Sequence, residues 1–306
     1  MKQNLLITGS CGFIASNLIR KIFYDQLQYN VFSLDKINDQ VMNSMVFNKS
    51  NSFHIADIND HYIVNRIFQY TQPDIVIHTA SEKSSDSILS TNVIGTKSIL
   101  DACVKNNVKK IVYLSSAEVY GDAENSDESS VTNPSELYGI SKLTAEKTIQ
   151  MYSKYFGLNY QILRLSNVYG PRQTVDKFIP KIIKSIMQKQ PITVYGDGSH
   201  LREWTNVADI NNGILSIINN GKLNDIYNIS SNQETSNLEL VQRVCNSMNE
   251  GFELIKHIDD PRKIHNKKQS LNSSKIRELG WKPEYKFKEG VSRTIKWYLS
   301  NQWILK

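Results

Sequence analysis

Three groups of residues have the types and spacing to do chemistry together. Tyr138-Gly139-Ile140-Ser141-Lys142 sets a phenol and an ammonium four residues apart, hence on one face of a helix. A cation beside a tyrosine favours its phenolate, which can then accept the proton of an alcohol as hydride leaves the same carbon. Ser116, at the end of the strand-like Tyr113-Leu114-Ser115-Ser116, brings a hydroxyl able to share the hydrogen bond to the reacting oxygen. Tyr-x-x-x-Lys alone is also what a surface pair on an amphipathic helix looks like. The third group raises it above that.

Thr8–Ala15 is a Gly-x-x-Gly-x-x-Ala loop that leaves a strand and opens a helix. Gly9 and Gly12 permit a tight turn and close approach of backbone to a diphosphate. The diphosphate then rests on the helix N-terminus that Phe13 and Ile14 begin, where N–H groups and the dipole favour an anion. Asp35 follows at the end of the next strand, the place for a carboxylate gripping the ribose hydroxyls of an adenine dinucleotide. Its charge argues for NAD over NADP, and the adjacent Lys36 softens that preference. Asp57-Ile58 suits contact with the adenine edge or is simply a strand-end turn. Cys11 reads as a small filler under the cofactor.

The elements that must position these groups are legible as periodicity. Asn4–Thr8, Asn30–Leu34, Asp74–His78, Lys110–Ser115 and Asn159–Leu165 read as buried strands. Between them Ile14–Phe23, Tyr62–Gln69, Asn92–Lys105 and Ser141–Phe156 carry apolar residues at helical spacing. This alternation implies βαβ units and an α/β fold with a doubly wound parallel sheet. Past residue 167 prolines and glycines cluster, and a strand Asp225–Ile229 and helices Asn237–Met248 and Phe287–Leu299 follow. The expected division is a dinucleotide-binding domain over 1–167, with returning segments near 203–230. A smaller, interleaved mixed α/β C-terminal substrate domain then takes 168–202 and 231–306.

Bulk composition narrows the classes. A chain of 306 residues that is 40% hydrophobic and 22% charged is ordinary globular protein. No apolar run approaches the roughly 20 residues of a membrane span, and Met1-Lys2-Gln3-Asn4 leads straight into a strand without a signal-peptide layout. The expectation is a cytoplasmic protein with no membrane partner. Three scattered cysteines and six histidines without HxH or HExxH spacing predict neither a disulfide framework nor a metal site. The net charge of +6 is spread along the chain without basic blocks, so no nucleic-acid partner is expected.

On these residues the chain resembles the extended short-chain dehydrogenase/reductase family, with its Rossmann-type sheet, and within it the nucleotide-sugar 4,6-dehydratases, 4-epimerases and decarboxylases. The resemblance is carried by Thr8–Ala15, His78-Thr79-Ala80, Thr91–Thr96, Ser115–Gly121, Tyr138–Lys142, Arg164–Pro171, Tyr195–Gly198, Arg202-Glu203-Trp204 and Arg262–Lys267. It implies bound NAD, Ala80 among the cofactor contacts, and Asn167, Arg202 and the segment from Arg262 to Lys267 on the nucleotide diphosphate of the substrate. It also implies a homodimer paired through the helices bearing Tyr138–Lys142 and Asn92–Lys105. Ile94, Ile99, Leu100, Leu143 and Ile149 suit that four-helix interface and equally suit packing on the sheet.

The positions after Ser116 discriminate the reactions. Dehydratases of the family that retain sugar configuration carry Thr-Asp-Glu there, with the Asp as acid toward O6 and the Glu as base at C5. This chain reads Ser116-Ala117-Glu118. Once C4 is a ketone the C5 proton is acidic, and a pure 4-epimerase has no use for a carboxylate beside it. Glu118 therefore points to C5 chemistry: elimination across C5–C6, C5 epimerisation, or both. Lys83, after the Asp74–His78 strand, is either the acid that replaces the absent Asp, a phosphate contact, or a surface residue. The expectation is an NAD-dependent 4,6-dehydratase acting on a UDP-hexose such as UDP-N-acetylglucosamine or UDP-glucose, with dTDP left open as the nucleotide. A UDP-sugar 4-epimerase or UDP-glucuronate decarboxylase is the runner-up, and a non-catalytic dinucleotide sensor is the reading from another class.

Overall fold

The computed structural model describes residues 2–36, 46, 51–260 and 268–305. Six strands of the first half, β1 (Gln3–Thr8), β2 (Tyr29–Asp35), β3 (Asn51–Ile55), β4 (Ile75–His78), β5 (Lys110–Ser116) and β6 (Asn159–Leu165), join Asp225–Ile229, β10 in chain order, in one sheet. The order is β10-β6-β5-β4-β1-β2-β3, and every pairing in it is parallel. Strand order reverses between β1 and β4. A crevice opens there beyond the strands' carboxyl ends, where doubly wound sheets bind ligands.

Period-two alternation decides which residue faces which helix layer. Leu5 and Ile7 pack with α1 (Phe13–Tyr24) and later α6 (Val207–Asn220) and α8 (Ser274–Glu278). Leu6, between them, packs on the other face with α2 (His61–Thr71), α3 (Thr96–Lys105) and α4 (Leu137–Phe156). Both faces being covered, the strands read as continuous apolar runs. A separate core lies between α5 (Phe178–Met187), β8 (Ile192–Tyr195), α7 (Asn237–Met248) and α9 (Phe287–Ser300). Beside it stand a three-stranded sheet of β7 (Asn167–Tyr169), β9 (Leu201–Asn206) and β11 (Glu234–Ser236), and the pair β8 with β12 (Ile255–Ile258). Among the described residues no helix is long and apolar enough to cross a membrane.

Three features depart from the periodicity. β3 is an edge strand of half-buried residues with two polar members at its start, so it lacks the apolar run that marks the others. The helix expected over Asn92–Lys105 opens as a π-helical stretch, Ser90–Gly95, which turns the Asn92 side chain inward. Of the apolar residues offered for a subunit interface, Ile99, Leu100 and Ile149 are fully buried against the sheet, whereas Ile94 is 57% exposed.

Candidate active site

The glycine loop closes on the end of β4. Gly9 has φ +64°, and a Cβ there would stand 2.6 Å from Ala80 N and Cα, so only glycine admits this approach. Beneath it His78 braces two strands and a helix, with Nδ1 2.6 Å from Thr8 Oγ1 and Nε2 3.0 Å from Thr96 Oγ1. Burial, helped by Lys142, holds that imidazole down to about 3, so it is neutral. The Asp35 carboxylate accepts from Cys11 N and Lys36 N, both at 2.8 Å, and burial pushes its pKa up against those bonds.

Gly9, Gly12, Phe13, Asp35, Lys36, Asp57, Ile58 and Ala80 line one cleft, together with Arg172 and Thr174. A side-chain-free ledge, a ribose-height carboxylate and apolar Leu34, Ala56 and Ile58 are the donor set and walls that fit an adenine dinucleotide. Ile14 lies outside this lining and packs its side chain on the core, leaving its backbone for any ligand contact. The Cys11 thiol, buried beside Asp35, is pushed up to about 12 and is a poor nucleophile.

Tyr138 lies in the first turn of α4, three residues before the helix expected from the apolar pattern. The start is fixed by contact: a Cβ on Gly139 would meet the Glu118 carbonyl at 2.6 Å, so glycine lets the helix abut the turn Ala117–Tyr120. Ser116 Oγ caps that turn by accepting from Glu118 N at 3.2 Å. Lys83 Nζ stands 3.2 Å from Glu118 Oε1 and 4.1 Å from the centre of the Tyr138 ring. Its loop is held by Asn92, whose Oδ1 accepts from Glu82 N at 2.8 Å and whose Nδ2 donates to Ser141 Oγ at 2.9 Å.

The electrostatics differ from the sequence expectation at one point. Lys142 was to be the cation acting on the phenol; instead its ammonium lies 4.3 Å from the centre of the Tyr113 ring, and Lys83 is the cation over Tyr138. Burial raises the Tyr138 phenol, with Lys83 and a bond to Ser81 pulling down and Glu118 pushing up. Burial brings Lys142 down to about 7, against Glu146 one turn along the helix. Partial burial disfavours charge on Lys83, but Glu118 and Tyr138 outweigh it and hold the ammonium above the ordinary lysine value.

Sequence reasoning missed the floor under these groups. Glu146 accepts from Arg164 Nε at 3.1 Å and Nη2 at 2.7 Å, and from the Ser115 hydroxyl. Arg164 Nη1 donates to Tyr120 OH at 2.7 Å, which donates to Asn228 Oδ1 at 2.9 Å. The spacing of Glu146 four residues past Lys142 was the available signal.

Asn167 and Arg202 meet in a second cleft with Lys181, Tyr195 and Trp204. Arg202 belongs to strand β9, where it pairs with Thr235. Trp204 stacks on Phe178 at 6.4 Å and 22°. Arg262 and Lys267 lie outside the described residues.

A family model described as the NAD dependent epimerase/dehydratase family matches residues 5–230. The dTDP-glucose 4,6-dehydratase of Haemophilus influenzae is 33% identical over 98% of both chains. The human dTDP-D-glucose 4,6-dehydratase is also 33% identical, over 98% of this chain and 91% of its own. Among solved structures, DesIV of Streptomyces venezuelae, a dTDP-glucose 4,6-dehydratase with NAD bound, superposes at TM-score 0.92 with 31% identity, covering 99% of this chain and 100% of that one. UDP-glucose 4-epimerase of Thermotoga maritima gives 0.91 with 26% identity over 98% and 99%.

Proposed function

The chain belongs to the NAD dependent epimerase/dehydratase family, and from that premise we propose that it is a nucleotide-sugar 4,6-dehydratase with resident NAD. The observation that carries this reading is the Lys83–Glu118 pair against the Tyr138 ring. A carboxylate and an ammonium beside the phenol are what elimination needs and what a 4-epimerase does not.

Bound nicotinamide supplies an acceptor for the C4 hydride and later its donor to C6. Tyr138 takes the O4 proton, with Ser116 sharing the bond to that oxygen. Glu118 removes the C5 proton made acidic by the ketone. Lys83, kept protonated by Glu118, donates to the departing C6 hydroxyl. Glu118 keeps the proton that C5 gave up, and Lys83, over the Tyr138 ring, is restored by the proton that Tyr138 took from O4, so the O4 proton ends in the water that leaves. Return of a proton to C5 from Glu118 retains configuration, and return from a donor on the opposite face inverts it.

Ala117 stands where the dehydratase pattern has an acid, and this keeps 4-epimerisation as the second reading. The relatives' names shift the nucleotide: dTDP-glucose, rather than the UDP-hexose expected from the sequence, is the first substrate to test. In this reading Asn167 and Arg202 hold the substrate diphosphate, Arg262 and Lys267 assist them, residues 1–167 carry the cofactor, and two copies pair through α3 and α4.

The test is product mass. With dTDP-glucose the product loses the mass of one water. Loss of carbon dioxide from UDP-glucuronate, or an epimer of unchanged mass, overturns the proposal. Tyr138→Phe should lower kcat by about 10²–10⁴ without moving the melting temperature.

A further inference from the structure

The glycine-loop cleft has a cationic wall that no motif announces. After β7 the chain turns back over α1 through Gly170, Pro171 and Arg172. Arg172 sits at φ +72°, a left-handed conformation that side chains with a Cβ resist and that tends to persist where function holds it. Asn17, on α1, donates to the Pro171 carbonyl at 3.2 Å and so ties the turn to the helix whose N-terminus opens the cleft. The Arg172 side chain lies 4.9 Å from the centre of the Trp297 ring on α9, and the residue lines the cleft with Gly9, Gly12 and Phe13.

Arg20, from α1, is in the same field. Burial and, after it, Arg172 lower its pKa to about 10, with Cys11 in the glycine loop opposing them. Burial alone acts on Arg172, with no carboxylate among the described residues offsetting it. Like-charged guanidiniums repel, and an anion placed beside Arg172 in the cleft relieves the repulsion. The ledge of backbone N–H groups beside them already selects an anion of diphosphate shape.

We infer that Arg172 is a diphosphate clamp: its guanidinium binds the diphosphate of the dinucleotide that the glycine loop cradles, and so retains the cofactor from turnover to turnover. The inference rests on the dinucleotide reading of the cleft. It supplies what an internally redox-neutral cycle needs, since a cofactor that leaves after accepting hydride strands a keto-sugar on the protein.

The experiment is calorimetric titration of the full chain with NAD+, ADP and adenosine, with nucleotide content measured on purification. Arg172→Gln and Arg172→Ala should weaken NAD+ and ADP about tenfold or more, the scale of a lost charge-assisted hydrogen bond. Adenosine, which has no phosphate, should bind each variant as it binds the parent. Arg172→Lys should recover part of the loss, having charge without the fork. The clamp is overturned if ADP affinity is unchanged, or if adenosine weakens as much as ADP, which is the pattern of a residue that only packs on Trp297. A parent protein that carries no nucleotide as purified and binds neither NAD+ nor ADP overturns the dinucleotide reading itself.

Discussion

Arg164 and Glu146 are 3% and 1% exposed and meet at 2.7 Å, whereas Lys83 and Glu118, on a loop and a turn beside the start of α4, are 57% and 25% exposed and stand 3.2 Å apart. The first pair is bidentate, and Ser115 and Tyr120 each add a further bond to it. Charges taken out of water in that way are tolerable only as a complete set, so the set fixes β5, β6 and α4 in one arrangement. The second pair keeps access to solvent and substrate, and its members can gain or lose a proton without leaving a charge stranded. One site thus uses the same chemistry twice: as a floor where protons must not move, and as a mouth where they must.

Three measurements break or sharpen this contrast. The largest effect belongs to the floor. Arg164→Met leaves Glu146 as a lone buried acid and should cost about 3–5 kcal/mol in urea unfolding. The double variant Arg164→Met with Glu146→Gln should regain most of it. A single-variant cost below about 1 kcal/mol would mean the floor is no different from a surface pair.

At the mouth, Glu118→Gln should slow dehydration about a hundredfold, some 2.7 kcal/mol of barrier at 1.36 per decade. Its unfolding free energy should move by less than about 1 kcal/mol. Lys83→Ala should slow the same step. If both variants still form the 4-keto-6-deoxy product at near the parent rate, the proton roles given to the pair are wrong.

The smallest effect concerns Lys142, between the two. Its folded pKa, about 7, is below that of the unfolded chain, so between pH 7 and roughly 10.5 the unfolded state binds more protons. Stability due to this group therefore rises with pH across that window and is flat below it. Lys142→Met should be more stable than the parent at pH 7, with a gap that narrows as pH is raised to 9. A constant gap would show an ammonium that stays charged when folded.

Much of the parallel sheet was legible because strands buried on both faces write themselves as apolar runs; β6 and β10 fall where the sequence puts them. β3 did not, because an edge strand of half-buried residues has no such run. The glycine loop and Asp35 were legible because spacing and a strand end place them, whereas the sequence left Lys83 with three readings and only the fold sets it beside Glu118 and Tyr138. Glu146, Arg164 and Arg172 were not: the first two meet only when α4 lies on β6, and the third reaches the cleft only through a left-handed turn. The Tyr138–Lys142 spacing correctly gave a shared helix face. It could not tell that the lysine would lie over Tyr113 while a cation from another loop covered the phenol.

The abutment of Gly139 on the Glu118 carbonyl has a geometric consequence for any sugar that enters. The group that would serve O4 and the group that would serve C5 ride on two backbone segments held in direct contact, separated by a fixed span. Adjacent ring carbons are likewise a fixed span apart. A hexose seated correctly for its oxidation is therefore already in register for its deprotonation, and no second docking step is required.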